Sequence, residues 1–122
     1  MAGVVQLPWY ATGFRGDDLE AALQQIAPIS LRYGAGRYEV FRGREDRYKF
    51  LMSIEFDSHA DWEAYWFGEE FTDMRASTSS WYQVPLLYTW SDLVAVGELR
   101  APEAGAEPAA AGGNGTERGD IV

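Results

Sequence analysis

The chain has 122 residues, a formal net charge of −9, no cysteine and a single histidine, His59. That length suits one domain with a core large enough to fold without staples, and the missing thiols exclude a disulfide framework, a thiolate metal site and a cysteine nucleophile. A lone histidine excludes a multi-histidine metal cluster within one chain, while the acidic surface repels phosphate backbones and argues against nucleic-acid binding.

In chain order, residues 4–10 (VVQLPWY) read as the first strand, with Pro8, which lacks an amide donor, favouring an edge position or a bulge. Residues 13–16 read as a loop, and Asp17 or Asp18 is expected to cap the helix that follows. Leu19, Ala22, Leu23 and Ile26 recur at the spacing of one helix face. Pro28 is expected to kink or break this helix, although the apolar phase resumes at Ile29 and Tyr33 until Gly34 and Gly36 stop it. Residues 37–42 and 47–56 read as a hairpin. In its second strand Tyr48, Phe50, Met52, Ile54 and Phe56 point one way, and Lys49, Leu51, Ser53 and Glu55 the other. Ser58 is the expected N-cap of a second helical region, with Asp61 in its first turn, where negative charge is favoured. Residues 86–96 read as a last strand or a pair of short strands.

Residues 1–99 form the expected folded domain. The remainder, 100–122, is rich in Ala, Gly, Pro and Glu with no aromatic residue, and is expected to be a disordered tail. Its end, Asp120-Ile121-Val122, reads as a frayed terminus or, alternatively, as a docking peptide for a protein partner. No apolar run approaches the roughly 20 residues that cross a bilayer, and the N-terminus lacks the basic start and apolar stretch of a signal peptide. A soluble cytoplasmic protein with no membrane partner is expected.

The order βαββαβ is the split βαβ arrangement: a ferredoxin-like α+β fold with a four-stranded antiparallel sheet and two helical regions on one face. The other sheet face is left bare, yet it carries apolar residues such as Leu51. Face-to-face pairing of two sheets, giving a homodimer or a higher oligomer, resolves this most simply.

Five tryptophans, seven tyrosines and six phenylalanines are more rings than a small core needs, and most fall between Tyr38 and Trp90. The surplus is expected to line a pocket or a partner surface. Read as one continuous helix, 58–75 places Ala60, Ala64, Phe67, Phe71 and Met74 on the core stripe and leaves Trp62 and Trp66 on the opposite side. Two resolutions stay open: Gly68 breaks the helix and brings the tryptophans inward, or a partner chain or the tail covers them.

Phe56-Asp57-Ser58, leading to Asp61-Trp62-Glu63-Ala64-Tyr65-Trp66 and then Glu69-Glu70-Phe71, resembles a segment common in dimeric α/β-barrel proteins grouped with the antibiotic-biosynthesis monooxygenases. Pro85-Leu86-Leu87-Tyr88 resembles their return to the last strand, and the resemblance covers residues 3–97. It implies a face-to-face dimeric barrel enclosing an aromatic-lined cavity. It also implies a cofactor-independent monooxygenase, or a binding protein, for a planar polyphenol- or quinol-like compound, working without metal or flavin. The ligand-binding residues it implies are Trp62, Tyr65, Trp66, Arg75 and Tyr88. The oxygenases' asparagine partner is missing, because the only asparagine is Asn114 in the tail. Haem-degrading members need a histidine late in the second helical region, where this chain has Met74 and Arg75, so haem degradation is not expected.

Two side chains are candidate bases. His59 lies at the expected helix start, where the dipole favours a neutral imidazole that can accept a phenol proton. Glu55 becomes a general base if dimerisation buries it and raises its pKa. The plainer readings are an exposed first-turn histidine, and a strand carboxylate paired with Lys49 or an arginine. Arg32, Arg37, Arg42, Arg44 and Arg47 are expected to pair with the acidic excess. The competing function, of a different class, is a non-catalytic homo-oligomeric assembly or scaffold protein that uses exposed tryptophans and the tail for partner contacts.

Overall fold

In β1 (Gly3–Tyr10) alternate residues are buried, Val5, Leu7 and Trp9 facing inward while Gln6, Pro8 and Tyr10 face out. The computed structural model describes residues 2–99. β1 is followed by α1 (Gly16–Ile26), a 3-10 segment (Ala27–Tyr33), β2 (Ala35–Arg42), β3 (Lys49–Phe56), α2 (His59–Trp66), α3 (Glu69–Ser77) and β4 (Thr89–Ser91). The strands form one antiparallel sheet in the order β2-β3-β1-β4, with the α+β, ferredoxin-like arrangement read from the sequence. No helix among the described residues is long and apolar enough to cross a membrane.

Pro8 shows how register accommodates sequence. Ala11 N–H donates toward β3, to the Tyr48 carbonyl, whereas the Tyr10 carbonyl on the opposite edge accepts from Gln83 N–H. The missing amide of Pro8 therefore faces the β4 side, as does Tyr10. β4 pairs only with Val4, Val5 and Gln6, so no ladder bond is lost there.

α1 buries Leu19, Leu23 and Ile26, the stripe its spacing predicts. It starts at Gly16, with Arg15 at the N-cap position, so neither Asp17 nor Asp18 caps it. Both lie in the first turn instead, where their charge is favourable; Asp18 pairs with Arg15 and Asp17 with Arg42, each at 2.8 Å. Helical hydrogen bonding tightens at Pro28 into the 3-10 segment, which stops at Gly34 with φ 100°, a conformation only glycine adopts cheaply.

The second helical region is two helices. Ser58 Oγ accepts from Asp61 N–H at 3.2 Å, capping α2 as expected. At Gly68 the chain turns under Tyr33: a Cβ there would sit 2.7 Å from the tyrosine hydroxyl and 2.8 Å from the Ala64 carbonyl. This break resets the phase. Trp62, Tyr65 and Phe71 are fully buried, whereas Ala60 and Ala64 are exposed and Phe67 is 70% exposed. The continuous stripe Ala60-Ala64-Phe67 is thereby overturned, and the tryptophans turn inward.

β4 is shorter than the expected 86–96. It runs antiparallel from the Ser91–Val4 pair, and β1 begins at Gly3, so residues beyond Ser91 run out of backbone to pair with. Residues 92–99 carry no regular structure, and Val94 and Val96 are exposed. The expected tail, 100–122, lies outside the described residues.

Candidate functional site

Strand alternation delivers Trp9 from β1 and Phe56 from β3 to the face that the helices cover, where α2 adds Trp62, Tyr65 and Trp66 and α3 adds Phe71 and Arg75. The Trp62 ring lies 4.8 Å from Tyr88, 5.2 Å from Trp66 and 6.0 Å from Phe56. Trp66 continues the chain of rings to Phe71 at 5.2 Å. Trp9 stacks on the same Phe71 at 6.3 Å and 17°, and meets Tyr82 edge-on at 5.0 Å.

Arg75 is laid across these rings. Its guanidinium carbon is 3.7 Å from the Trp66 centroid and 4.8 Å from that of Phe71, a cation–π arrangement. Burial lowers its pKa, opposed by the nearby Tyr82 and Tyr65. Nη1 is buried with no acceptor among the described residues, and the same holds for Trp9 Nε1 and Trp62 Nε1. An unmatched buried donor costs about 1–3 kcal/mol. Three such donors lie in one helix–sheet layer, and one of them is cationic.

The expected ligand residues are thus brought together: Trp62, Tyr65, Trp66, Arg75 and Tyr88 share one cluster. Their exposures differ from the solvent-facing reading, since Trp62 is fully buried and Trp66 half-buried. A fully buried Trp62 cannot serve as the exposed contact that an assembly protein would use. Tyr65 fastens the layer: its hydroxyl donates to the Ile26 carbonyl at 2.7 Å, and burial pushes its pKa well above the ordinary tyrosine value against the opposing effect of Arg75. Sequence reasoning missed Trp9 and Tyr82. The inward phase of Trp9 was readable from alternation, but its unmatched N–H was not.

The two candidate bases separate. His59 opens α2 with its ring edge-on to Trp90 at 5.1 Å and its Nδ1 3.6 Å from Glu63 Oε2, on the helix that carries Trp62. Glu55 stands opposite Val4 and Arg37, on the outer sheet face. This is the face that alternation in β3 predicts for Glu55, so the sheet lies between its carboxylate and the rings. Its charge instead adds to that of Glu39 in raising the pKa of Arg37. Lys49 is six residues away on the same strand, too far to pair with it.

A groove of about 600 Å³ runs between α1 and α3, with Ala22, Ile26, Ile29, Met74 and Trp81 among its lining residues. None of the three unmatched donors borders it. The aromatic-lined cavity expected beside Trp62 and Trp66 is occupied by the rings themselves, which pack on one another. Among the described residues no group of His, Asp and Glu could hold a metal ion.

No family model and no curated protein sequence matches the chain. Solved structures do. A candidate antibiotic biosynthesis monooxygenase from Nitrosomonas europaea superposes with a TM-score of 0.70 at 15% identity, covering 79% of this chain and 94% of that one. A Pseudomonas aeruginosa protein gives 0.69 at 18% identity, covering 77% and 95%. A variant of SnoaB, a cofactor-independent oxygenase from Streptomyces nogalater, gives 0.67 at 10% identity, covering 78% and 95%. At such identities the likeness establishes the fold.

Proposed function

We propose that the protein binds a planar, oxygenated aromatic compound of the polyphenol or quinol type beside Arg75, the packed rings of the helix–sheet layer parting to admit it, and acts on it as a cofactor-independent monooxygenase. The observation that carries this reading is Arg75, a cation spread over Trp66 and Phe71 whose buried Nη1 has no acceptor among the described residues. A phenolate is flat, stacks on rings and carries negative charge on oxygen, so it satisfies all three features of the site. The fold shared with a cofactor-independent oxygenase adds support.

In this reading His59 takes the phenol proton, with Glu63 steadying the imidazolium that forms. Trp62, Trp66 and the Tyr65 ring hold the anion, with Tyr88 against Trp62 closing the wall. The electron-rich ring then reduces dioxygen. The ring carbon para to the hydroxyl exchanges its hydrogen for a C=O bond, one oxygen atom entering the quinone and the other leaving as water.

The working unit is a homodimer. On the outer sheet face Phe41 is 49% exposed beside Leu51 and Pro8, and the exposed Val94 and Val96 follow β4. A second copy laid face to face covers this apolar surface. Sedimentation at micromolar concentration is expected to give two chains per particle; a single-chain particle contradicts the dimer.

Oxygen uptake with a panel of phenols and 1-naphthols that carry hydrogen para to the hydroxyl tests the activity. Wild-type protein is expected to consume one O2 per ring oxidised, and Arg75→Met to lose at least about tenfold in kcat/KM, the loss of one charge-assisted contact. Uptake that is unchanged in Arg75→Met overturns the assignment.

A further inference from the structure

We infer that the groove between α1 and α3 is a docking site for a helix of a partner protein, one that sets three apolar side chains along one face and carries lysine or arginine before and after them. The groove shares no lining residue with the ring cluster, so its occupant is independent of the aromatic ligand proposed above. One wall steps from Asp18 through Ala22 and Ile26 to Ile29, and the other from Glu70 through Met74 to Trp81. Each set recurs at the spacing of one helix face. The two walls run antiparallel. Arg15 pairs with Asp18 at 2.8 Å and lies over the Trp81 ring at 5.4 Å, marking one end. Arg32 and the Tyr33 hydroxyl reach Glu70 at 3.7 Å and 2.6 Å, marking the other. From Asp18 to Ile29 the groove is about 17 Å long, roughly three helical turns at about 1.5 Å per residue.

Shape and charge together choose the occupant. Ile26, Ile29 and Met74 make the floor apolar, and the flexible thioether adapts to whatever packs on it. Ala21 and Ala22 end at Cβ, which lets a helix backbone come close. Carboxylates stand at both ends, Asp18 at one and Glu70 at the other with Asp73 one turn along, and no lysine or arginine lines the groove among the described residues. Asp73 has no ion-pair partner among the described residues. The pairs that Arg15 and Arg32 make are exposed, so a partner's cations replace them at little cost. Negative charge at the two ends of a long apolar trough matches a helix with a basic flank on each side of its anchors; a small organic cation would reach only one end. The chain's own candidates fit poorly. Residues 100–122 hold four acidic and two basic side chains, with no large apolar residue before Ile121 and Val122. A second copy brings a net charge of −9 to an acidic rim, and the homodimer proposed above uses the outer sheet face instead.

Fluorescence anisotropy of the full chain with a labelled, alanine-based peptide helix of about 16 residues tests this. The peptide carries leucines at i, i+4 and i+7 and paired lysines at each end. Wild type is expected to bind it saturably. It is expected to bind about tenfold more weakly a peptide with glutamates in place of the lysines, and one whose leucines are scattered round the helix. Asp73→Lys is expected to weaken the lysine peptide about tenfold, and Ala21→Trp, which fills the groove, at least as much. Asp73 and Ala21 are both exposed, so each variant is expected to keep the wild-type circular dichroism, and either alone suffices should the other not fold. Wild type that does not bind the lysine peptide, or binds the scattered one equally well, overturns the docking site, as does undiminished binding in Ala21→Trp. A labelled peptide of residues 100–122 that binds wild type but not Ala21→Trp assigns the groove to the tail. Fewer chains per particle when Ala21→Trp is sedimented assigns it to a second copy. Either result also overturns the partner helix.

Discussion

Two arginines, Arg42 and Arg75, each lie over a phenylalanine, at 5.1 Å from Phe50 and 4.8 Å from Phe71, and are treated in opposite ways. Arg42 gives Nη1 to Asp17 and Glu20 at 2.8 Å each and Nε to the Arg47 carbonyl at 2.7 Å. The bonds to Asp17 and Glu20 raise its pKa and tie α1 to the β2–β3 hairpin. Arg75 has no carboxylate partner among the described residues, and burial lowers its pKa. The surroundings follow the same division. α1 covers the sheet with Leu19, Leu23 and Ile26, which have no side-chain polar atoms, while α2 brings the Trp62 indole and α3 the Arg75 guanidinium, each with a donor that goes unmatched among the described residues. Both halves are well buried, so filling space does not distinguish them. The difference lies in polar atoms left for something outside the chain to satisfy.

The sharpest way to break this contrast is on the aliphatic side. Leu23→Ala is expected to cost about 2–5 kcal/mol, the range for a buried leucine that leaves a cavity, read by urea denaturation, with ligand affinity of the surviving folded fraction unchanged. Arg42→Met is expected to cost about 1–3 kcal/mol, because it removes charge-assisted bonds that join two elements; the value sits low in that range because Asp17 is 96% exposed. Tyr65→Phe leaves the buried Ile26 carbonyl without its donor and is expected to cost about 1–2 kcal/mol. Trp62→Phe keeps a ring against Tyr88 and Phe56 and removes an unmatched donor, so it is expected to change stability by less than about 1 kcal/mol while weakening ring-anion binding.

The smallest effect is a pH dependence on the rim. The Tyr33 hydroxyl donates to Glu70 at 2.6 Å, and this bond lowers the Glu70 pKa and raises that of Tyr33. Stability from the lowered carboxylate is present above the unfolded glutamate value of about 4.3 and is lost as pH falls through the folded value. Stability from the raised phenol is present below about 10 and is lost as pH rises through its folded value. Tyr33→Phe is therefore expected to lower the thermal midpoint slightly between these limits and to converge with wild type outside them.

How much of this was legible depended on whether the cause was local. Alternation in β3 placed Phe50, Met52, Ile54 and Phe56 in the core and Glu55 on the far face, and the α1 stripe was equally plain. The register of the tryptophans stayed open between a break at Gly68, which the structure has, and one continuous helix. It turns on Gly68 tucked beneath Tyr33, a contact between residues far apart in sequence, and a helix read through that glycine points Trp62 outward. The end of β4 depends on where β1 begins, which no pattern within 86–96 records. At the site, the ring types and Arg75 were visible as letters. Which arginine meets a carboxylate is decided by folding: Arg42 finds Asp17 and Glu20 across more than twenty residues, and Arg75 finds none among those described.

The central claim is that Arg75 is kept unmatched for an aromatic anion. Thermal melting of wild type and Arg75→Met, each with and without saturating lawsone (a hydroxynaphthoquinone that is anionic at neutral pH), tests it most directly. The account predicts that Arg75→Met melts at or above the wild-type temperature without ligand, since an apolar side chain replaces an uncompensated cation, and that lawsone raises the wild-type midpoint but not the variant's. A variant that melts well below wild type alone, yet is raised equally by lawsone, would contradict it.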